Sequence, residues 1–177
     1  ISFNDDGFAE FDVYKNKEFF EHIELSVAGT HNVLNALACI SLCDHYNISS
    51  KTMKDALKEF TGAHRRLEYK GSYNNIRIYD DYAHHPTEIN ATCNALNNKK
   101  FNESWVIFQP HTYSRTKTLL DDFCGALSNF DHIIIADIYA ARETNTYGVS
   151  SKDIVERINS TRGSHSEYIS DFNDIVS

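Results

Sequence analysis

"HIIIADIY", residues 132–139, is the stretch that decides the fold. Its apolar run, Ile133 to Ala136, lacks the alternation of a strand with one wet face. An unbroken apolar strand needs cover on both faces, and such strands belong to parallel sheets. The same rhythm recurs outward. "WVIFQ" (105–109) reads as a strand and "SRTKTLLDDFCGALSNF" (114–130) as one helix. "IRIYD" (76–80) reads as a strand, and Pro86 opens a helix to about residue 98, since proline lacks only an N–H that is orphaned in a first turn anyway. "SSKDIVERIN" (150–159) is a helix, "SEYIS" (166–170) a strand, and "DFNDIVS" (171–177) the start of a helix. Strands alternating with helices predict an α/β fold with a mostly parallel, doubly wound sheet.

The first 70 residues have another grammar. Ala9, Phe11 and Val13 alternate with polar neighbours, as do Ile23, Leu25 and Val27, which predicts a two- or three-strand antiparallel meander. From residue 30 the period changes. Val33, Leu34, Leu37, Ala38 and Leu42 form a helical stripe with Thr30 as the expected N-cap. A second helix is expected at 50–60 on Met53, Ala56, Leu57 and Phe60. Gly62 and Gly71 flank a basic segment, and a domain boundary is expected near residue 70, giving 1–70 and 71–177.

Composition narrows the function classes. The chain has 177 residues and a net charge of −8. A broad nucleic-acid footprint needs a basic surface, so nucleic acid is not expected as a partner. No apolar stretch reaches the ~18 residues of a bilayer span, and no membrane partner is expected. The four cysteines form no Cys-x-x-Cys pair; they read as small buried hydrophobes in a reducing, cytoplasmic protein. The opening "ISFNDDGF" is no translation start, so the chain reads as a piece of a longer protein.

Three strand-to-helix junctions carry the polar chemistry: "DDYAHHP" (80–86), "QPHTYSRT" (109–116) and "DIYAARET" (137–144). In one parallel sheet all three lie outside the carboxyl ends of the strands, where open α/β sheets bind ligands. This gathers Asp81, Tyr82, His84, His85, His111, Tyr113, Arg115, Arg142 and Glu143. The first junction leaves three readings open: a metal site on Asp80, Asp81, His84 and His85, solvated residues capping a helix, or a nucleotide corner. Adjacent histidines diverge, which disfavours one shared ion, and no protein-ligated metal is expected. His31, Asn32 and Asn35 begin a helix, where the two amides either read a base edge or cap the helix start. Arg65 and Arg66 form either a solvated basic turn or an anion contact. Arg115 suits a carboxylate or phosphate because its planar fork binds bidentately. None of the seven glycines makes a G-x-x-x-x-G-K-[ST] loop, and no G-x-S-x-G elbow is present.

"GTHNVLNALA", "GAHRRLEYKG", "DDYAHHPTEI", "FQPHTYSRT" and "DIYAARE", in this order and spacing, closely resemble the Mur ligase family. The motifs are most like those of the member that joins L-alanine to UDP-N-acetylmuramate; the tripeptide-recycling ligase shares much of "DDYAHHPTEI". The resemblance implies an ATP-dependent amide ligase of peptidoglycan precursor synthesis acting through an acyl phosphate, with Mg²⁺ beside ATP. It implies that 1–70 ends a central ATPase domain and that 71–177 is most of a Rossmann-like C-terminal domain. The first domain, the P-loop and the main Mg²⁺ ligands would then lie outside this chain, which is expected to be inactive alone. By the same resemblance His31, Asn32 and Asn35 meet adenine, and Arg66 and Asp81 meet ribose or phosphates. Tyr82 binds nucleotide and, with His84, lines the gap to the acyl substrate. His111 and Arg115 face a substrate carboxylate, with His84 and Arg115 as the catalytic pair. Some members carry Arg where Thr112 stands here, which shifts weight to Arg115. "GAHRRLEYKGS" is the expected hinge of domain closure. Two competing classes remain: a nucleotide-binding module without catalysis, and a metal-dependent hydrolase on Asp80, Asp81, His84 and His85.

Overall fold

The computed structural model describes residues 1–97, 99–162 and 166–176. The chain forms two compact units, Ile1–Tyr82 with Ala91–Lys100, and Ala83–Asn90 with Phe101–Ser177.

Turn chemistry sets the first unit. Strands β1 (Ser2–Phe3), β2 (Phe8–Lys15) and β3 (Glu18–Ala28) form an antiparallel sheet in that order. Asn16 and Lys17 join β2 to β3 with φ of 53° and 71°. Two left-handed central residues make the turn whose twist matches a hairpin. That fixes the register, with Phe11 opposite Ile23. Ala9, Phe11, Val13, Ile23 and Leu25 then face inward, as their alternation predicts, and pack with Val33, Ala36 and Ile40 of α1 (Thr30–His45) and Met53 of α2 (Ser50–Glu59).

Helix α1 departs from its expected stripe. Val33, Ala36 and Ile40 are buried, Leu37 packs against that core, and Ala38 is exposed. Leu34 and Leu42 are 67% and 60% exposed. Both faces of this helix are apolar, so period alone does not choose between them. The same misphasing overturns the buried-cysteine expectation in part: Cys93 and Cys124 are buried, Cys43 is half-buried and Cys39 is exposed. The N-cap is Gly29, not Thr30. At its φ of 100° a Cβ would stand 2.6 Å from the His31 ring, so glycine is required. In α2 the helix ends at Glu59, with Ala56 and Phe60 exposed rather than inward.

The largest correction concerns "IRIYD". It is strand β5 (Ile76–Asp80), but it pairs antiparallel with β4 (Glu68–Tyr73), so among the described residues it is no member of the parallel sheet. Asn74 and Asn75, at φ 48° and 66°, close another two-residue hairpin. That short closure costs little chain entropy, and the strand alternation that suggested β5 fits a local hairpin equally well. Pro86 opens α3 (Pro86–Asn97) as expected; Asn98, its expected end, lies outside the described residues.

In the second unit β6 (Trp105–Phe108), β7 (His132–Ile135) and β8 (Ser166–Tyr168) form a parallel sheet in the order β6-β7-β8. Central β7 buries Ile133 and Ile135 and half-buries Ile134, which explains its unbroken apolar run. Helices α4 (Tyr113–Thr118), α5 (Leu120–Leu127) and α6 (Ser151–Arg162) alternate with the strands in a Rossmann-like pattern. Phe123, Leu127, Ile154 and Ile158 complete the core with Phe108. The expected single helix after β6 breaks at Leu119, whose φ and ψ are −110° and 22°. The break lets α4 bury Thr116 while α5 buries Phe123, Ala126 and Leu127. The closing α7 spans Phe172–Ile175; Ser177 of "DFNDIVS" lies outside the described residues. No described helix is long and apolar enough to cross a membrane.

Candidate functional site

In the first unit the start of α1 carries His31, Asn32 and Asn35. Asn32 donates from Nδ2 to the Ala28 carbonyl at 2.8 Å. Asn35 donates from Nδ2 to Asn32 Oδ1 at 3.1 Å. Asn32 thus joins β3 to α1 through one of its two amide N–H bonds, whereas exposed Asn35 keeps its carbonyl oxygen as an acceptor. His31 is exposed one turn earlier.

The segment between Gly62 and Gly71 is wound tightly. Gly62, Arg65, Leu67 and Gly71 all have positive φ. Asp81 holds this turn, accepting from the Leu67 N–H at 2.9 Å and from the Thr92 hydroxyl at 2.9 Å on the same oxygen. Glu68 accepts from the Arg65 N–H at 2.8 Å and pairs with Lys70 at 2.8 Å. Lys70 first, then the Arg65 amide, hold its carboxyl down to about 2. The Arg65 guanidinium lies 4.6 Å from the Tyr82 ring centre, and its backbone carbonyl accepts from the Tyr82 N–H at 2.8 Å. Arg65, which the sequence offered only as a solvated turn or an anion contact, thus sets where half-exposed Tyr82 stands. Arg66 is exposed between the two strained residues of the turn.

In the second unit the predicted His84, His111 and Arg115 come together. The rings of His84 and His111 are 6.1 Å apart. Arg115 Nη1 is 3.4 Å from His111 Nδ1. With Arg115 as donor, the His111 proton sits on Nε2. His111 also lies 5.5 Å from the Tyr139 ring. Backbone bonds lock the two loops that meet here: Thr112 donates to the Tyr139 carbonyl at 2.9 Å, and Tyr139 donates to that of Pro110 at 2.8 Å. His84 is fixed by Glu88, which accepts its N–H at 3.0 Å and lies 3.5 Å from its Nδ1. The i, i+4 spacing of this pair was a usable sequence signal. His85 Nδ1 accepts the Thr87 N–H at 3.3 Å, a cap on α3.

The four residues of the metal reading are engaged within their own units. Asp80 lies 3.4 Å from Arg65, Asp81 binds Leu67 and Thr92, His84 meets Glu88, and His85 caps α3. Among the described residues no group of three or more His, Cys, Asp or Glu is placed to hold a metal ion. Arg115 and His111 stand together where the loops after β6 and β7 meet, and a guanidinium beside an imidazole suits an anion.

A family model described as "Mur ligase, glutamate ligase domain" matches residues 65–177. The UDP-N-acetylmuramate–L-alanine ligase of Clostridium acetobutylicum is 52% identical over 99% of this chain, which spans 38% of that protein. Among solved structures, the UDP-N-acetylmuramate–alanine ligase of Thermotoga maritima is 30% identical with a TM-score of 0.80, over 96% of this chain and 36% of the other. A murein peptide ligase from Psychrobacter arcticus is 26% identical with a TM-score of 0.62, over 94% of this chain and 35% of the other. The chain thus spans under two fifths of the relatives it matches.

Proposed function

Since the chain belongs to the Mur ligase family, we propose that it is part of an ATP-dependent amide ligase that joins L-alanine to UDP-N-acetylmuramate through an acyl phosphate. The carrying observation is that His84, His111 and Arg115 come together beside the loops that follow β6 and β7. Among solved structures the alanine ligase, at 30% identity and a TM-score of 0.80, exceeds the murein peptide ligase, at 26% and 0.62, which favours alanine over tripeptide as the amine substrate.

The γ-phosphoryl group of ATP passes to the muramate carboxylate, ADP leaves, the alanine nitrogen attacks the acyl carbon, and phosphate departs. Here the work is positioning and charge neutralisation. Asn35, with Asn32 and His31 beside it, reads adenine. Arg66, in the 65–67 turn, and Asp81, which binds that turn at the Leu67 N–H, serve ribose or phosphates. Tyr82 and His84 line the gap between nucleotide and acyl group. Arg115 neutralises the substrate carboxylate, and His111 donates to it from Nε2–H. Mg²⁺ accompanies ATP, its main ligands lying with the P-loop outside this chain. The same reading makes the protein cytoplasmic, places the P-loop and the UDP-substrate domain elsewhere in the protein, and keeps a domain boundary near residue 70 with segment 61–73 as the hinge. The family match beginning at residue 65 supports that boundary, whereas by compactness residues 71–82 and 91–100 belong to the first unit.

The test is an assay of the complete gene product with ATP, UDP-N-acetylmuramate and either L-alanine or the L-Ala–D-Glu–diaminopimelate tripeptide. ADP release and amide product with alanine alone are expected. Preference for the tripeptide, or nucleotide binding without turnover, overturns the reading. Backbone angles of segment 61–73 that stay the same with and without nucleotide would refute the hinge.

A further inference from the structure

Glu143 stands on the loop after β7, 29 residues from Ser114 of the helix it touches. Its Oε2 accepts the Ser114 N–H at 2.8 Å, and its Oε1 accepts the Ser114 hydroxyl. Helix α4 needs such a partner. Its N-cap residue, Thr112, offers no side-chain cap. At φ 68° and ψ 146°, Thr112 also sits where only glycine is at ease, and a β-branched residue there is strained. Strain of this kind persists only where the surroundings enforce it. The Tyr139 carbonyl holds the Thr112 N–H, buried Thr116 donates its hydroxyl to the Thr112 carbonyl at 2.7 Å, and Glu143 takes both donors of Ser114.

We propose that Glu143 is a positioning residue for the ligase reaction: by gripping Ser114 from the neighbouring loop it fixes the first turn of α4, and so aims Arg115 and His111. This rests on the reaction proposed above. Ser114 and Arg115 are consecutive, about 100° apart around the helix, so the direction of one sets the direction of the other. The grip makes Glu143 a poor general base. Both its oxygens are engaged by Ser114, whose hydroxyl first and amide second hold its carboxyl below the usual range, and a carboxylate so held is a weak base.

The complete gene product tests this with Glu143→Ala, Glu143→Gln and Ser114→Ala. Glutamine loses the charge but keeps one oxygen for the Ser114 N–H and an N–H₂ for its hydroxyl. Glu143→Ala should lower kcat by about 10- to 100-fold, the scale of a small misplacement, with the KM for ATP within about twofold. Glu143→Gln should recover most of kcat, and Ser114→Ala should add little on top of Glu143→Ala. A Glu143→Ala kcat equal to wild type, or a Gln variant no better than Ala, overturns the proposal. Hydrogen exchange of the Ser114 amide, measured without substrates, keeps this separate from the reaction itself. It should speed up by roughly tenfold or more in Glu143→Ala at unchanged Tm, and unchanged exchange refutes the grip even if the protein proves not to ligate alanine.

Discussion

Arg115 donates to His111 across 3.4 Å, one helical turn after it in sequence. The pair couples two roles. The guanidinium fixes the tautomer of the imidazole, and the imidazole holds the guanidinium beside the sheet edge. Truncating the arginine removes a charge-assisted contact and frees the ring. Arg115→Ala should therefore cost about 2–4 kcal/mol of transition-state stabilisation, or roughly 30- to 1000-fold in kcat/KM for UDP-N-acetylmuramate. Steady-state kinetics of the complete protein measures it, and an unchanged kcat/KM removes Arg115 from the site.

Asn35 offers the opposite selectivity. Its carbonyl oxygen is the acceptor left open at the start of α1. Asn35→Ala should weaken ATP use by about 1–2 kcal/mol, a rise of roughly 5- to 30-fold in the KM for ATP, with the KM for alanine unchanged. A rise for alanine without one for ATP contradicts the adenine role.

Glu68 gives a pH prediction with a definite sign. Its folded carboxyl titrates at about 2 against a reference of 4.5. A depressed folded value means that its contribution is present above the unfolded value and is lost as pH falls through the folded one. The Arg65 and Lys70 contacts should hold at pH 5 and break as pH falls through about 2, while their contribution to stability fades between about 4.5 and 2. A carboxyl NMR titration of Glu68 checks this directly; a midpoint near 4.5 would show the turn is not gripped.

Phe123 tests the core that supports the second group. It is fully buried, its ring 5.4 Å from that of Phe108 at the end of β6. Phe123→Ala should lower unfolding stability by about 3–5 kcal/mol, read from denaturant melts. A loss below about 1 kcal/mol would place Phe123 outside the core.

These residues also show what was legible in the sequence. The unbroken run at 133–136 announced a strand covered on both faces, and β7 is that strand. Period two found β2 and β3, because each buries one face only. Period 3.6 placed α1 but misphased it, since both its faces are apolar. "IRIYD" was recognised as a strand, yet its partner depended on the Asn74–Asn75 turn, which pairs it backwards with β4. Of the site, His84, His111 and Arg115 were legible as polar groups at strand ends. Arg65 against Tyr82 and Glu143 on Ser114 were not, because the second couples loops far apart in sequence and the first depends on a left-handed turn at Arg65.

The central claim is ligation through an acyl phosphate, and isotope transfer tests it most directly. UDP-N-acetylmuramate labelled with ¹⁸O in both carboxylate oxygens is turned over with ATP and L-alanine by the complete protein. Each phosphate released should carry one ¹⁸O, because the oxygen that accepts the γ-phosphoryl group leaves with it. Phosphate free of label would contradict the account.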